Sequence, residues 1–157
     1  MLAKLYPMTN FNYSGRDNLD VMSLAKNYNK SIYKWLSNNI PSKAVILDFG
    51  SGQGEFFNRF NGEHYKIYAV EPDNSMHSFF PKERIFSSIE KVNNKFNLIY
   101  SINVLEHIED DVLAINKFKK YLIDNKGVIK IFVPARQELY SSMDEKVGHY
   151  RRYSKKQ

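Results

Sequence analysis

An α/β fold with a mainly parallel sheet is predicted by three observations. Short unbroken apolar runs such as Ala44-Val45-Ile46-Leu47 lack the alternation of a half-solvated sheet and suit strands covered on both faces. Between them stand segments whose apolar residues recur every three or four positions, the period of a helix with one buried stripe. A turn with three glycines at alternate positions follows the first apolar run directly. Strand and helix then alternate to the end, as in sheets whose parallel strands are joined by helical crossovers.

Taken in order, residues 1–18 are polar and aromatic without a clear period and read as an N-terminal arm or lid, leaving 19–157 as the domain. From Asp20, a plausible N-cap, the stripe Val21, Leu24, Ala25, Tyr28, Ile32, Trp35 and Leu36 predicts one helix, which Pro41 ends. The run 44–47 is the first strand, and Gly54 to Phe60 starts a helix. Lys66 to Val70 is the second strand, closed by Glu71-Pro72-Asp73, and Asn74 to Phe80 is a short helix or turn. Arg84-Ile85-Phe86 is a weak third strand and Phe96 to Ser101 a fourth. Asp110 or Asp111 caps a helix bearing Val112, Ile115, Phe118 and Leu122, which Asn125-Lys126-Gly127 stops. Val128 to Val133 is a fifth strand, ended by Pro134.

With 157 residues, 43% of them hydrophobic and 25% charged, the chain is ordinary globular material for one domain with its own core. It contains no cysteine, which excludes disulfides, thiolate metal sites and cysteine nucleophiles. No metal centre is expected. No apolar run approaches the length of a membrane span, and Lys4 and Pro7 interrupt any signal-peptide character near the start, so the expected location is cytoplasmic. The net charge of +6 is uneven: residues 41–145 are slightly acidic, whereas residues 146–157 carry Lys146, Arg151, Arg152, Lys155 and Lys156 with no acid. Such a basic end either meets phosphate or is a solvated terminus.

The informative segment is Asp48-Phe49-Gly50-Ser51-Gly52-Gln53-Gly54. A loop at the carboxyl end of a central strand is where open α/β sheets bind ligands, and glycine lets a ligand approach the backbone closely. The third glycine comes one residue too early for the dinucleotide fingerprint, and no Gly-Lys-Ser/Thr follows. Glu55 at the mouth of the loop suits a ligand without phosphate. Glu71 stands twenty-one residues after Gly50 at a strand end, where a carboxylate accepts hydrogen bonds from both hydroxyls of a ribose.

On these residues the sequence resembles the class I S-adenosylmethionine-dependent methyltransferases. Asp48 to Gly54 is similar to the family's first motif, Val70-Glu71-Pro72-Asp73 to its ribose-binding acid, and Tyr100-Ser101-Ile102-Asn103-Val104-Leu105-Glu106-His107-Ile108 to the fourth motif of its small-molecule branch. Gly148 to Ser154 resembles a segment beyond the fifth strand of some bacterial members. The resemblance implies a Rossmann-like, doubly wound, three-layer α/β/α fold with about five of the family's seven strands, the sixth and seventh lying outside the sequence. It implies S-adenosyl-L-methionine as cofactor and S-adenosyl-L-homocysteine as product. Asp48, Gly50, Ser51, Gly52 and Gly54 would hold the methionine part, Glu71 the ribose, and Asp73, Met76 and Ser88 the adenine. Asn103 would close the pocket, with Tyr28 either covering it or packing in the core. His107 and His149 are the candidate general bases, His107 being equally suited to brace the following helix; Tyr150, Arg151 and Arg152 are the candidates for holding the acceptor.

The leading expectation is therefore methyl transfer to a small-molecule acceptor, such as a sugar or cell-envelope precursor. The alternatives are a non-catalytic cofactor-binding subunit or fragment that needs a partner chain, and an RNA methyltransferase favoured by the basic end. A DNA partner is not expected, because Asn103-Val104-Leu105-Glu106 lacks the Asn/Asp-Pro-Pro-aromatic signature of base-amino methylation. An uncovered sheet edge makes a homodimer a fair expectation.

Overall fold

The computed structural model describes residues 16–61 and 64–156. The predicted arm at residues 1–18 lies almost wholly outside them. Five parallel strands, β1 (Val45–Phe49), β2 (Lys66–Val70), β3 (Ile85–Phe86), β4 (Leu98–Ile102) and β5 (Val128–Phe132), form one sheet in the order β3-β2-β1-β4-β5. The five predicted strands are all present, each within one or two residues of its expected bounds. β1 is central, paired with β2 from Val45↔Lys66 to Phe49↔Val70 and with β4 from Ile46↔Leu98 to Asp48↔Tyr100. The strand order reverses between β1 and β4, so the crevice at their carboxyl ends is the switch point where a ligand fits.

Both faces of the sheet are covered, and the alternation of side chains divides the core in two. Ile46, Ile67, Ala69, Leu98 and Tyr100 join Ile32 and Leu36 of α2 (Lys26–Ser37) and Phe57 and Phe60 of α3 (Glu55–Asn61). Leu47, Phe49, Tyr68, Val70 and Ile99 join Ala114 and Phe118 of α4 (Asp111–Tyr121). The Phe49 and Phe118 rings meet edge to face, with centroids 4.6 Å apart. Asp110 caps α4 by accepting a hydrogen bond from the Leu113 N–H at 2.9 Å. The edge strand β5 is fastened to α2 by Lys130, whose Nζ donates to the carbonyls of Leu36 (2.8 Å), Asn38 (2.7 Å) and Trp35 (3.1 Å), a cation on the negative end of that helix.

Two expected elements differ from the structure. α4 ends at Tyr121, with Leu122 as its C-cap and a separate 3₁₀ turn at Asp124–Lys126, so Asn125-Lys126-Gly127 is not what stops it. The single helix starting at Asp20 is two helices, α1 (Arg16–Leu24) and α2, separated at Ala25, whose ψ of 58° leaves the helical region. Buried Asn29 reaches back to donate to the Met22 carbonyl at 2.9 Å, which also accepts from the Ala25 N–H at 3.1 Å, so the two bonds fasten α2 to the end of α1 across the break. Asp20 consequently lies inside α1 and is not an N-cap; its carboxylate accepts from Gln53 Nε2 at 2.7 Å and ties α1 to the glycine loop.

The carboxyl-terminal segment folds back on the sheet. A parallel bridge joins Ala135 to Tyr153, and the Tyr150 N–H donates to the Glu106 carbonyl at 2.7 Å. Among the described residues no helix is long and apolar enough to cross a membrane. Phe118→Ala, which empties a fully buried ring site, is expected to cost about 3–5 kcal/mol in urea unfolding. Val112→Ala, on the exposed side of the same helix, should stay within about 0.5 kcal/mol.

Candidate functional site

A cavity of about 560 Å³ opens at the switch point, roofed by Leu19, Met22 and Ser23 of α1. Its floor is the loop after β1. The Gly50 N–H donates to the Val70 carbonyl at 2.8 Å, binding the loop to the end of β2. Gly50 has φ +77°, and a Cβ there would stand 2.3 Å from Val104 Cγ2, so a side chain fails on both conformation and space. Of the residues expected to hold cofactor, Asp48, Gly50, Ser51, Gly52, Glu71, Asp73, Met76, Asn103 and Tyr28 all line this cavity.

Two of them do not. Gly54 stands outside the lining, and its glycine answers a packing need: with φ +84° it turns the chain into α3, and a Cβ would press to 3.1 Å from the Phe80 ring. Ser88 is also outside; it precedes the 3₁₀ turn Ile89–Lys91, where its carbonyl accepts from the Lys91 N–H at 3.2 Å.

Glu71 is set as an acceptor. Its Oε2 accepts from the Gly52 N–H at 2.8 Å and its Oε1 from the Asp73 N–H at 2.9 Å, so the carboxylate is locked against the glycine loop while still bordering the cavity. Burial raises its pKa despite those donors. Asp48 is pushed up to about 7, chiefly by burial, with the Tyr100 hydroxyl beside it working in the opposite sense and the Glu71 charge adding to the rise. Ser51 Oγ is buried with no hydrogen-bond partner among the described residues, an orphan that a polar ligand atom would satisfy. Of the two expectations for Tyr28, the structure does not place it in the core: it is exposed, borders the cavity and meets Phe132 edge to face at 5.9 Å.

The β4 side of the cavity carries the two expected histidines. Asn103, at φ +53°, turns the chain out of β4 into the 3₁₀ turn Leu105–His107. His107 Nδ1 lies 3.2 Å from the Gly148 carbonyl, and burial, with the nearby His149, lowers its pKa to about 4. His149 Nδ1 lies 2.8 Å from Asp144 Oδ1, and the two imidazole rings are edge to face with centroids 4.6 Å apart. Asp144, on α5 (Ser142–Lys146), is buried and saturated: besides His149 it accepts from Arg152 Nε (2.8 Å) and a second Arg152 nitrogen (3.0 Å) and from the Ser141 N–H (3.0 Å). The Arg152 hydrogen bonds, foremost, hold its carboxyl well below the usual range.

The expected acceptor-binding residues are therefore largely committed elsewhere. Arg152 borders the cavity, but its fork is spent on Asp144. Arg151 lies outside the lining, donating to the carbonyls of Ile108 (2.8 Å) and Glu109 (2.6 Å) and pairing with Asp111 at 3.2 Å. Tyr150 is exposed and also outside the lining. Sequence reasoning passed over Glu106 and Asp144, both 1% exposed and both on the cavity. A buried-type acid between Leu105 and Ile108 was the available signal for the first, and the capping spacing Ser141-to-Asp144 points to a structural role for the second.

Comparison with known proteins bears on the family and the fold. Residues 23–155 match the family described as "Methyltransferase domain". No curated protein matches the sequence. Solved structures similar in fold include DesVI of Streptomyces venezuelae (15% identity, TM-score 0.64, 85% of this chain and 62% of that one). They also include the sugar N-methyltransferase KedS8 of Streptoalloteichus (13%, 0.67, 90% and 62%). A third is CalS10 of Micromonospora echinaspora, an amino pentose methyltransferase solved with S-adenosylmethionine bound (14%, 0.65, 85% and 62%). The chain thus spans less than two thirds of the length of these three relatives.

A carboxyl whose pKa is higher in the fold than in the unfolded chain favours the fold while protonated and opposes it once ionised. For Asp48 that contribution is present below its ordinary value of 3.8 and lost as pH rises to about 7. Asp48→Asn, which cannot ionise, should therefore gain on the unmodified protein between pH 5 and pH 8 by more than about 1 kcal/mol, or about 2–4 °C in Tm. Parallel melting curves of the ligand-free proteins that kept a constant gap across that range would refute it.

Proposed function

The chain belongs to the methyltransferase-domain family, and from that premise we propose that it transfers a methyl group from S-adenosyl-L-methionine to a small molecule held on the β4–β5 side of the same cavity. The observation that carries the reading is Glu71: a carboxylate pinned by two backbone N–H groups at the end of β2, beside the glycine loop, in the position of a ribose acceptor. The bound cofactor would supply an already activated methyl group on its sulfonium. The protein's own tasks are then to bind, to orient and to exclude water.

Asp48 offers a carboxylate to the ammonium of the methionine part, and that positive charge would offset the burial that holds the carboxyl partly protonated. Ser51 Oγ gains the partner it lacks among the described residues. Asp73 and Met76 border the adenine, Met76 as a polarizable apolar face, and Tyr28 and Asn103 close the pocket. Gly54 and Ser88 act only by shaping the loops behind it. Leu19 and Met22 of α1 shield the transfer from solvent.

On the acceptor side His107 stands as a neutral ring at neutral pH, the state a general base needs, and Asp144 fixes the orientation of His149. KedS8 is a sugar N-methyltransferase and CalS10 an amino pentose methyltransferase, which supports a sugar as the acceptor class here. The test is calorimetric titration with S-adenosylhomocysteine, followed by methyl transfer to a panel of amino and neutral sugars. Glu71→Ala is expected to weaken cofactor binding about a hundredfold, the loss of hydrogen bonds to a charged acceptor. Absence of heat with the unmodified chain would overturn the cofactor reading.

A further inference from the structure

We propose that Glu106, His107 and His149 form a site for one divalent transition-metal ion of the zinc class on the acceptor side of the cavity. One ligand atom from each of the three lies within 4.8 Å of the others, and Glu106 Oε1 stands 4.0 Å from His149 Nε2. Tetrahedral zinc with bonds of about 2.1 Å spaces its ligand atoms about 3.4 Å apart, so the ligand atoms must close by no more than about 1.4 Å, which side-chain rotations supply. All three residues border the cavity, which leaves the fourth position open to a small molecule, the pattern of a catalytic ion and not of a structural one.

The independent sign of a cation is Glu106 itself. It is 1% exposed, and neither carboxylate oxygen has a hydrogen-bond partner among the described residues. A buried carboxylate without donors is costly, and the buried Asp144 nearby, which draws five hydrogen bonds, marks how far Glu106 departs from that norm. A metal ion at the three-residue centre meets that deficit.

The surrounding groups are arranged as a second layer of ligation. In the neutral rings, Nδ1–H of His149 donates to Asp144 Oδ1 at 2.8 Å and Nδ1–H of His107 to the Gly148 carbonyl at 3.2 Å, which puts the lone pair of each on Nε2. A carboxylate or a backbone carbonyl behind each ligating imidazole is how metal sites fix tautomer and ring orientation. Arg152 in turn clamps Asp144 through two nitrogens. Two imidazoles and one carboxylate, without thiolate, suit zinc, iron(II) or cobalt(II) over magnesium or calcium, which prefer all-oxygen sets.

What the ion would do rests on the methyl-transfer reading: it would ligate an oxygen of the acceptor and lower that hydroxyl's pKa, taking over the task of a histidine base. Whether it binds does not depend on that reading. The full chain, stripped with a chelator and without cofactor, is titrated with Co²⁺, followed by its visible bands, and with Zn²⁺ by calorimetry. One ion per chain is expected. Glu106→Gln and His107→Ala should each weaken it about a hundredfold and Asp144→Asn about tenfold, with His64→Ala unchanged. S-adenosylhomocysteine is titrated into the same samples, and circular dichroism checks the fold of each variant. No bands and no heat, or equal affinity in folded Glu106→Gln and His107→Ala, overturns the metal site. A chain that binds the metal and not S-adenosylhomocysteine upholds the metal site and overturns the functional reading instead.

Discussion

The contact between Gly50 and Val104 governs the cavity. The loops after β1 and β4 lie side by side only because the first offers no side chain where the second lays its isopropyl group. Asn103 makes the approach by turning left-handed at the end of β4, a conformation asparagine tolerates better than most residues. Two consequences follow from one close approach. The backbone of the glycine loop forms the floor, and the turn that follows Val104 delivers Glu106 and His107 to the wall. A larger residue at position 50 would separate the cofactor half of the cavity from its acceptor half.

Much of the fold was legible because its signals are local. The runs at 45–49, 66–70, 98–102 and 128–132 are mostly apolar, each with one polar residue (Asp48, Lys66, Ser101, Lys130), and their alternate residues enter two different cores, which is why they show no regular polar alternation. The glycine loop and Glu71 were legible for a similar reason, since strand, turn and acid sit at fixed separations. The break at Ala25 was not, because it carries no glycine or proline and depends on Asn29 folding back to Met22. The basic end misled in the same way. Arg151 and Arg152 look like a charged tail in one dimension, and they are spent on Asp111, Asp144 and two carbonyls in three. The membership of Glu106 and Asp144 in the site depends on pairings across many residues, which no spacing rule exposes.

The two buried acids on the β4 side illustrate how one residue type is put to opposite uses. Asp144 receives donors from Arg152, His149 and Ser141, stays ionised, and fixes the groups around it. Glu106 has no partner from another residue among those described and is pushed up to about 7, mainly by burial and further by the charge of Asp144, with its own backbone N–H working in the opposite sense. The first is a fastening and the second is a reserve of unsatisfied bonding capacity. Their proximity places that reserve against a frame too well connected to collapse onto it.

The hydrogen bond from the Tyr150 N–H to the Glu106 carbonyl also bears on the order in which the molecule assembles. It closes a long loop that includes α4, β5 and α5, and its formation presupposes that β4 and β5 are already paired. The two-histidine wall therefore depends on the paired sheet and not the reverse, so it can open locally while β1, β2 and β4 stay paired. Binding competence for the two halves of the cavity is in that sense thermodynamically separable, even though both are built on one sheet.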